Sequence, residues 1–255
     1  FSEALMRGHL DRSRYVGDPE FYEVPNTKLL SKDRGSKHAD SISMNSATDV
    51  DLLEPDWLNL EGENTTHFSI IDKDGNAVSN TYTLGYSFGS GVTIPGTGIL
   101  MNNQMNNFAY QVGNNALISR SVSPGNSFEP GKRPMSTMTP TMVFNQANEL
   151  MLITGSPGGS LIPAAVLRII LGVLDNNLAI GDATMLPRIH RDWPNDTLKL
   201  EGGISEDTKT ILKGLGYKID ANKTMGSTQS IFIKDGIKYG YADLRRPNAG
   251  VAKQH

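Results

Sequence analysis

The stretch TTHFSIIDKDGNAVSNTYTL, residues 65–84, decides the fold class of this chain. Two runs rich in β-branched and aromatic residues flank an Asp-Gly pair at its centre. Because glycine adopts the positive φ that a tight hairpin turn requires, the stretch predicts two antiparallel strands. A second stretch of the same type, residues 229–241, surrounds Asp235 and Gly236. Antiparallel hairpins therefore recur along the chain.

The elements between and around these hairpins are both helical and extended. Ser205 is a typical helix N-cap, and Gly216 is a typical end for the amphipathic stretch that follows it. Blocks of strands separated by a few helices, without a strict βαβα alternation, favour an α+β fold with layered sheets and helices over a doubly wound fold. The remaining predicted elements are two short helices within 2–42, strands at 98–101 and 150–154, and an apolar helix at 164–174.

Composition excludes several classes of protein. The chain has 255 residues, 24 Lys+Arg against 27 Asp+Glu, and a net charge of -3, so a polycationic nucleic-acid binder does not fit. It contains no cysteine, which excludes disulfides and thiolate catalysis. The most apolar stretch, 161–174, is shorter than the roughly 20 residues that a membrane span needs. The first residue is Phe1, and we expect the chain to be a piece of a longer one.

An acidic segment precedes the first hairpin. Between Asn45 and Asn64 there are six Asp and Glu residues and no Lys or Arg, without a helical or strand periodicity. This pattern predicts an exposed, poorly ordered linker.

Two motifs suggest chemistry that their surroundings do not support. Residues 85–89, GYSFG, match the G-x-S-x-G pattern of serine hydrolases, but the glycine-rich sequence that follows cannot form the required helix. We interpret this segment as a loop. The five histidines are scattered without the i, i+4 pairing of a metal-binding helix, so we expect no metal site and no cofactor.

The segment TGSPGGS, residues 154–160, is more informative. Its glycine pair, Gly158 and Gly159, comes directly before the predicted apolar helix. Such a turn can present two backbone N–H groups to an anion, because no Cβ blocks the approach and the helix dipole has the right sign. The alternative is a loop in which glycine only supplies a positive φ.

Several motifs, in order and covering essentially the whole chain, resemble the γ-glutamyltranspeptidase family of N-terminal-nucleophile (Ntn) hydrolases. The matching segments are 11–19, 65–67, 72–78, 98–100, 102–105, 130–134, 154–160 and 225–230. The resemblance implies a four-layer αββα sandwich. It also implies a precursor that cuts itself on the amino side of a threonine, which here is Thr65. Residues 1–64 would then be the C-terminal end of the large subunit with its acidic linker, and residues 65–255 the small catalytic subunit.

The resemblance also implies roles for four catalytic residues. Thr65 is the nucleophile, with its own freed α-amino group as the base, because a hydroxyl is a poor nucleophile until a base takes its proton. Thr83 would hydrogen-bond to the Thr65 hydroxyl and orient it. Gly158 and Gly159 would form the oxyanion hole.

Five further positions correspond to substrate-binding positions of the family. Gln104 and Asn107 would bind the α-amino end of a γ-glutamyl group, and Ser136 and Thr137 its α-carboxylate. The family commonly has aspartate at the position of Asn107 and asparagine at the position of Gly85, so this chain departs from the pattern at both. Loss of a carboxylate removes a charged partner for the substrate ammonium, which weakens the expected selectivity for glutathione-like substrates.

The resemblance implies an enzyme that transfers a γ-glutamyl group from an amide to water or to an amine, through a threonine ester. The alternatives are a glutaryl- or cephalosporin-type acylase of the same fold, and a non-catalytic relative that binds a ligand. The expected partners are a γ-glutamyl compound and the rest of the large subunit, with no nucleic acid and no membrane span in this segment. The family resemblance also implies a periplasmic or extracellular location.

Overall fold

The computed structural model describes residues 1–53, 64–112, 116–118, 123–194, 196–221 and 223–253. Helices and strands are mixed, which confirms the α+β class. The chain divides into two compact units. The first unit comprises Phe1–Glu61, Gln104–Ser136 and Ile189–Lys223, and the second comprises Gly62–Asn103, Thr137–Arg188 and Thr224–His255.

The helices are α1 (Ser2–Tyr15), α2 (Asn26–Leu29), α3 (Lys32–Asp40), α4 (Ile162–Ile170), α5 (Ile180–Met185) and α6 (Glu206–Gly214). The strands are β1 (Asn64–Ile71), β2 (Ala77–Gly85), β3 (Tyr110–Val112), β4 (Ala116–Ile118), β5 (Thr141–Phe144), β6 (Leu150–Thr154), β7 (Ile189–His190), β8 (Thr197–Leu200), β9 (Lys218–Ala221), β10 (Gln229–Lys234) and β11 (Ile237–Ala242).

Both predicted hairpins are confirmed. β1 pairs antiparallel with β2, and β10 pairs antiparallel with β11. Gly75, Asp235 and Gly236 all have positive φ, at 90°, 51° and 74°. The tight two-residue turn is confirmed in the second hairpin, where Lys234 pairs with Ile237. In the first hairpin Ile71 pairs with Ala77, so residues 72–76 form a longer connection than the predicted tight turn.

The second unit is built on a four-stranded antiparallel sheet in the order β11-β10-β6-β5. Leu152 of β6 is fully buried against Ile169 of α4, Val173 of the π-helical turn that follows, and Ile180 of α5. Burial of each such side chain is worth about 1.5 to 3 kcal/mol, so this cluster stabilises the packing of α4 and α5 on the sheet. The predicted apolar helix is confirmed, with Pro163 in its first turn, where a missing N–H breaks no helical hydrogen bond.

Two serine side chains join the first hairpin to this sheet. The Ser79 hydroxyl donates to the carbonyl oxygen of Thr154 at 3.0 Å, and the Ser69 hydroxyl donates to that of Gln229 at 2.8 Å. Because Ser69 lies on β1 and Ser79 on β2, both strands of the hairpin are fixed to the sheet.

The first unit has its own small core and sheet. Met6 and Leu10 of α1 pack with Val50 and Trp193. The sheet has the order β7-β8-β9, with β8 and β9 parallel and α6 as the connection between them. The predicted cap of α6 is confirmed, since the Ser205 hydroxyl accepts a hydrogen bond from the Thr208 N–H at 3.2 Å.

The prediction of an exposed acidic linker from Asn45 to Asn64 is wrong for its first part. Val50–Leu53 forms a 3-10 turn, and Val50 is buried in the core of the first unit. The Ala47 N–H donates to the carbonyl oxygen of Leu215 at 2.6 Å. A count of acidic residues could not reveal these contacts, because they join segments that are far apart in the sequence. Residues 54–63 lie outside the described part of the chain.

The predicted strand at 98–101 is also wrong. Leu100 forms an isolated antiparallel bridge with Thr93, and the segment belongs to no named strand. Gly96 and Gly98 have φ of 76° and 71°, so the backbone there cannot remain extended. In the described residues, no helix is long and apolar enough to cross a membrane.

Candidate active site

Thr65 and Thr83 lie opposite each other in the first hairpin. They are register partners on β1 and β2, and the pairing shifts between Asn64 and Thr65. Thr65 is buried. The Thr83 hydroxyl donates to the carbonyl oxygen of Asn64 at 2.7 Å and accepts from the Gly85 N–H at 2.9 Å. A hydroxyl donor is therefore bound to the carbonyl of the Asn64–Thr65 peptide bond. The expected hydrogen bond between the two threonine hydroxyls stays a prediction.

The Thr65 carbonyl oxygen accepts a hydrogen bond from a residue near the C-terminal end of the chain. Arg246, which follows β11, donates from Nη1 to this oxygen at 2.6 Å. A cavity of about 390 Å³ lies beside it, lined by residues 66–69 of β1 and by residues 246–250. Sequence reasoning did not identify Arg246, since nothing local connects it with Thr65.

His67 lies buried two residues after Thr65 on the same strand. Its ring is within hydrogen-bonding distance of the hydroxyls of Thr81, at 2.7 Å, and Ser69, at 3.1 Å. Burial lowers the pKa of His67 to about 4, so the ring is neutral at neutral pH. Gly155 lies against this ring, and a Cβ there would overlap it. His67 therefore packs β1 against the start of the 155–160 loop.

Gly158 and Gly159 adopt backbone conformations that favour glycine. Their φ values are 133° and 57°. Both are buried, directly before the 3-10 turn Gly159–Leu161 and α4. Within the described ranges, neither N–H donates a hydrogen bond. Two backbone donors are thus available at this turn.

The first unit contains Gln104 and Asn107 in one short 3-10 turn. Asn107 is buried, and its side-chain Nδ2 donates to Oε1 of Gln104 at 2.7 Å. The Asn107 amide therefore donates to the Gln104 oxygen. An aspartate at position 107 could not do so, because a carboxylate has no proton to donate.

Asn126, which sequence reasoning missed, links this turn to the segment that carries Ser136. Its Nδ2 donates to the Asn107 carbonyl oxygen at 2.8 Å, and its Oδ1 accepts from the Met135 N–H at 2.9 Å. The side chain is fully buried. Ser136 itself is exposed. One amide therefore holds two of the predicted substrate-binding segments together.

Gly85 and Thr137 belong to the second unit. Gly85 has φ 94°, and a Cβ there would overlap the side-chain oxygen of Asn103, which accepts from the Tyr86 N–H at 3.0 Å. An asparagine at position 85 would thus require Asn103 to move. Thr137 is buried. The structure brings Thr65, Thr83 and Gly85 together in one hairpin, and Gln104 and Asn107 together in one turn.

Comparison with known proteins agrees with these motifs. The family model described as "Gamma-glutamyltranspeptidase" matches residues 1–253. The chain belongs to the γ-glutamyltranspeptidase family. Among relatives in this family, it is similar to the glutathione hydrolase proenzyme of Escherichia coli (strain K12), with 41% identity over 96% of this chain and 42% of that protein. The chain thus spans less than half the length of this curated relative.

The chain is also similar to two solved structures. An acivicin-inhibited γ-glutamyltranspeptidase is 40% identical, with a TM-score of 0.66, over 71% of this chain and 99% of that chain. A cephalosporin acylase from Bacillus halodurans is 25% identical, with a TM-score of 0.76, over 96% of this chain and 43% of that chain.

Proposed function

We propose that this chain is the catalytic part of an autoprocessed γ-glutamyltranspeptidase with Thr65 as its nucleophile. The observation that carries the proposal is the hydrogen bond from the Thr83 hydroxyl to the Asn64 carbonyl oxygen at 2.7 Å. A donor on this oxygen stabilises the negative charge that forms when a nucleophile attacks the carbonyl carbon. The bond that would be cut is therefore already polarised.

In the processing step, the Thr65 hydroxyl oxygen attacks the carbonyl carbon of Asn64. The carbon–nitrogen bond to Thr65 breaks, the nitrogen takes up a proton, and Asn64 becomes an ester on the Thr65 side chain. Water then hydrolyses the ester, which leaves a carboxylate on Asn64 and a free α-amino group on Thr65. The two resulting chains are residues up to 64 and residues from 65 onward.

In turnover, the free α-amino group of Thr65 accepts the proton of its own hydroxyl. The pKa of such an amine is about 8, so it is a suitable base near neutral pH. The hydroxyl oxygen attacks the γ-carbonyl of the substrate, and the amine of the substrate leaves with a proton. Water or an acceptor amine then attacks the γ-glutamyl ester and releases the acyl group.

The backbone N–H groups of Gly158 and Gly159 would stabilise the oxyanion of both steps of turnover. Their left-handed backbone and the two free donors support this assignment. Loss of one oxyanion-hole donor typically costs about 2.7 to 4 kcal/mol of barrier.

The family resemblance assigns recognition of the γ-glutamyl group to four residues. Gln104 and Asn107 would bind the α-amino end, and Ser136 and Thr137 the α-carboxylate. Gly85, where the family has asparagine, would leave one contact unmade. The hydrogen bond between Asn107 and Gln104 supports a weakened hold on the ammonium, because it uses the Gln104 oxygen that could otherwise accept from it.

The C-terminal segment would assist both reactions. The acivicin-inhibited γ-glutamyltranspeptidase is described as revealing critical roles for its C-terminus in autoprocessing and catalysis. The contact of Arg246 with the Thr65 carbonyl supports a similar role in this chain.

After cleavage, residues 1–64 would stay bound as the end of the large subunit. A buried ion pair supports this, since Arg191 lies 2.6 Å from Glu3 across the cleavage point in the sequence. Tyr217 also donates to Glu3, at 2.9 Å. Breaking a buried pair of this kind is costly, because it leaves an uncompensated charge.

The finer architecture is a four-layer αββα sandwich. In support, α4 and α5 cover one face of the four-stranded sheet, while the hairpin exposes Phe68, Ile70, Val78 and Tyr82, as a face that packs on a further layer would. We place the mature enzyme in the periplasm or outside the cell, from the family resemblance. Fractionation of cells that express the full-length protein tests this location.

The experiment for the function uses the full-length precursor. Wild-type protein is expected to show a new N-terminus at Thr65 and to hydrolyse a γ-glutamyl anilide. Thr65→Ala should stay uncut and inactive, whereas Thr66→Ala, at the exposed neighbouring threonine, should be cut and active. An active wild-type enzyme without a cut between Asn64 and Thr65 would refute the assignment.

A further inference from the structure

The loop that carries Gly158 and Gly159 lies directly against a second loop, Met225 to Thr228. Gly226 of this second loop has φ 68°, and its Cα would lie 3.3 Å from a Cβ built on Gly158. The two backbones thus approach without any side chain between them. A Cβ on Gly158 would crowd Gly226, so this close approach favours glycine at position 158.

Hydrogen bonds of the Ser156 hydroxyl join the two loops. Its hydroxyl accepts from the Ser227 N–H at 2.9 Å and donates to the carbonyl oxygen of Pro157 at 2.7 Å. Ser156 and Ser227 are fully buried. The Ser156 hydroxyl has a single proton, which it donates to the Pro157 oxygen. In its hydrogen bond with Ser227 it can therefore only accept.

The hydrogen bond from Ser156 to the Pro157 carbonyl oxygen determines the direction of the Gly158 N–H. The Pro157 oxygen and the Gly158 N–H belong to one planar trans peptide unit, in which the two groups point in opposite directions. A rotation of that plane would break the hydrogen bond to Ser156. Ser156 therefore fixes the direction of this donor by binding the oxygen on the opposite side of the peptide unit.

A buried ion pair holds the second loop in turn. Arg188 donates to the Met225 carbonyl oxygen at 2.5 Å and to Asp243 at 2.6 Å. The Asp243 carboxylate also accepts from the Thr228 N–H at 3.0 Å. Arg188 and Asp243 are both buried. Both ends of the loop around Gly226 are thus anchored to one pair of charges.

We propose that Ser156 and Gly226 are positioning residues that aim the Gly158 N–H at the oxyanion, with the Arg188–Asp243 pair as their anchor. This inference rests on the proposed function, in which Gly158 is an oxyanion donor. A Cβ on Gly226 would lie 2.6 Å from the Ser156 hydroxyl oxygen and 3.1 Å from the Pro157 carbonyl oxygen. It would therefore displace the two atoms that set the direction of the donor.

The test compares Gly226→Ala with Gly236→Ala in the full-length enzyme. Gly236 has a similar φ of 74°, but a Cβ there meets no atom within 4 Å. The two variants share the backbone strain. They differ in that a Cβ on Gly226 meets Ser156, Pro157 and, at 3.3 Å, the Cβ of Ala165. We expect Gly226→Ala to lower kcat for a γ-glutamyl anilide about tenfold or more, with KM within about twofold of wild type, since a misaimed oxyanion donor acts on the transition state.

The rate of cleavage before Thr65 distinguishes the proposed positioning role of Gly226 from a general loss of structure. The carbonyl attacked in processing is bound by Thr83, so Gly226→Ala should still be cut at the wild-type rate. Ser156→Ala is the second variant, and it should lower kcat in the same way. A kcat of Gly226→Ala equal to that of Gly236→Ala would overturn the proposal. If Gly226→Ala fails to fold or to be cut, a wild-type kcat in Ser156→Ala overturns it. A wild-type enzyme inactive on the γ-glutamyl anilide would refute the proposed function instead.

Discussion

The Thr83 hydroxyl donates to the Asn64 carbonyl oxygen at 2.7 Å, across the hairpin that β1 and β2 form. The same hydroxyl oxygen accepts from the Gly85 N–H, so its proton is directed at the peptide bond before Thr65. A residue expected to orient the nucleophile thus also binds the group that the nucleophile would attack first.

The first prediction concerns this contact. Thr83→Val keeps the shape of the side chain and removes the donor, so cleavage before Thr65 should slow about tenfold or more. Thr83→Ser should be cut almost normally. The measurement is a time course of fragment formation from purified precursor. Thr81→Val is the matched control, because its hydroxyl contacts His67 and not Asn64. Equal cleavage rates for the two valine variants would contradict the role of Thr83.

The second prediction concerns the base. If the freed α-amino group of Thr65 accepts the proton, it must be unprotonated, so kcat/KM should rise with pH through a pKa of about 8 unless the site shifts it. The rate profile of the cleaved enzyme over that range measures this value. Uncleaved precursor as active as the cleaved enzyme would show that another group is the base.

The third prediction concerns Asn107. An amide does not offset the charge of a substrate ammonium, and here it also donates to the Gln104 oxygen. Asn107→Asp should therefore raise the ratio of kcat/KM for γ-glutamyl over glutaryl anilide, by about tenfold if the recovered interaction is worth about 1.4 kcal/mol. Gly85 limits the gain, since the family's asparagine is also missing there. An unchanged ratio would mean that Asn107 does not face the α-amino end.

The fourth prediction concerns Asn126. Asn126→Leu removes its hydrogen bonds to Asn107 and Met135, so the predicted substrate-binding segments should lose their alignment. We expect KM for the γ-glutamyl anilide to rise about tenfold, with a smaller change in kcat. Asn126→Asp keeps the acceptor for Met135 and should be intermediate. If Asn126→Leu had the wild-type KM and only a lowered melting temperature, Asn126 would contribute to stability and not to substrate binding.

The fifth prediction concerns acid stability. Burial, with a smaller contribution from His190, lowers the pKa of His9 to about 3. The unfolded chain, with a histidine pKa near 6.5, then binds a proton that the folded protein does not. The contribution of neutral His9 to the free energy of unfolding is therefore fully present above pH 6.5 and decreases as the pH falls. At pH 5 the loss is about 2 kcal/mol. His9→Phe should unfold at temperatures that differ less between pH 7 and pH 5 than those of wild type. The same pH shift in both proteins would contradict this origin.

Local signals were sufficient for much of the fold. The Asp-Gly pairs and β-rich runs predicted both hairpins, and Ser205 predicted the start of α6, because turns and caps depend on a few neighbouring residues. The sheet of β7, β8 and β9 was not predicted, since its strands have only two to four residues and depend on pairing across the chain. The buried position of Val50 was missed for the same reason, because its partners Met6 and Trp193 are distant in the sequence.

For the site, the sequence by itself determined the chemical groups: a threonine at the start of a strand, a second threonine across the hairpin, and a glycine pair before an apolar helix. Only the tertiary structure decided what holds them. The contacts of Arg246 with Thr65, of Asn126 with Asn107, and of Ser156 with Ser227 each join residues separated by 19 to 181 positions in the sequence. Such contacts leave no periodicity or local motif, because hydrogen bonds between distant segments form only when the whole chain has packed.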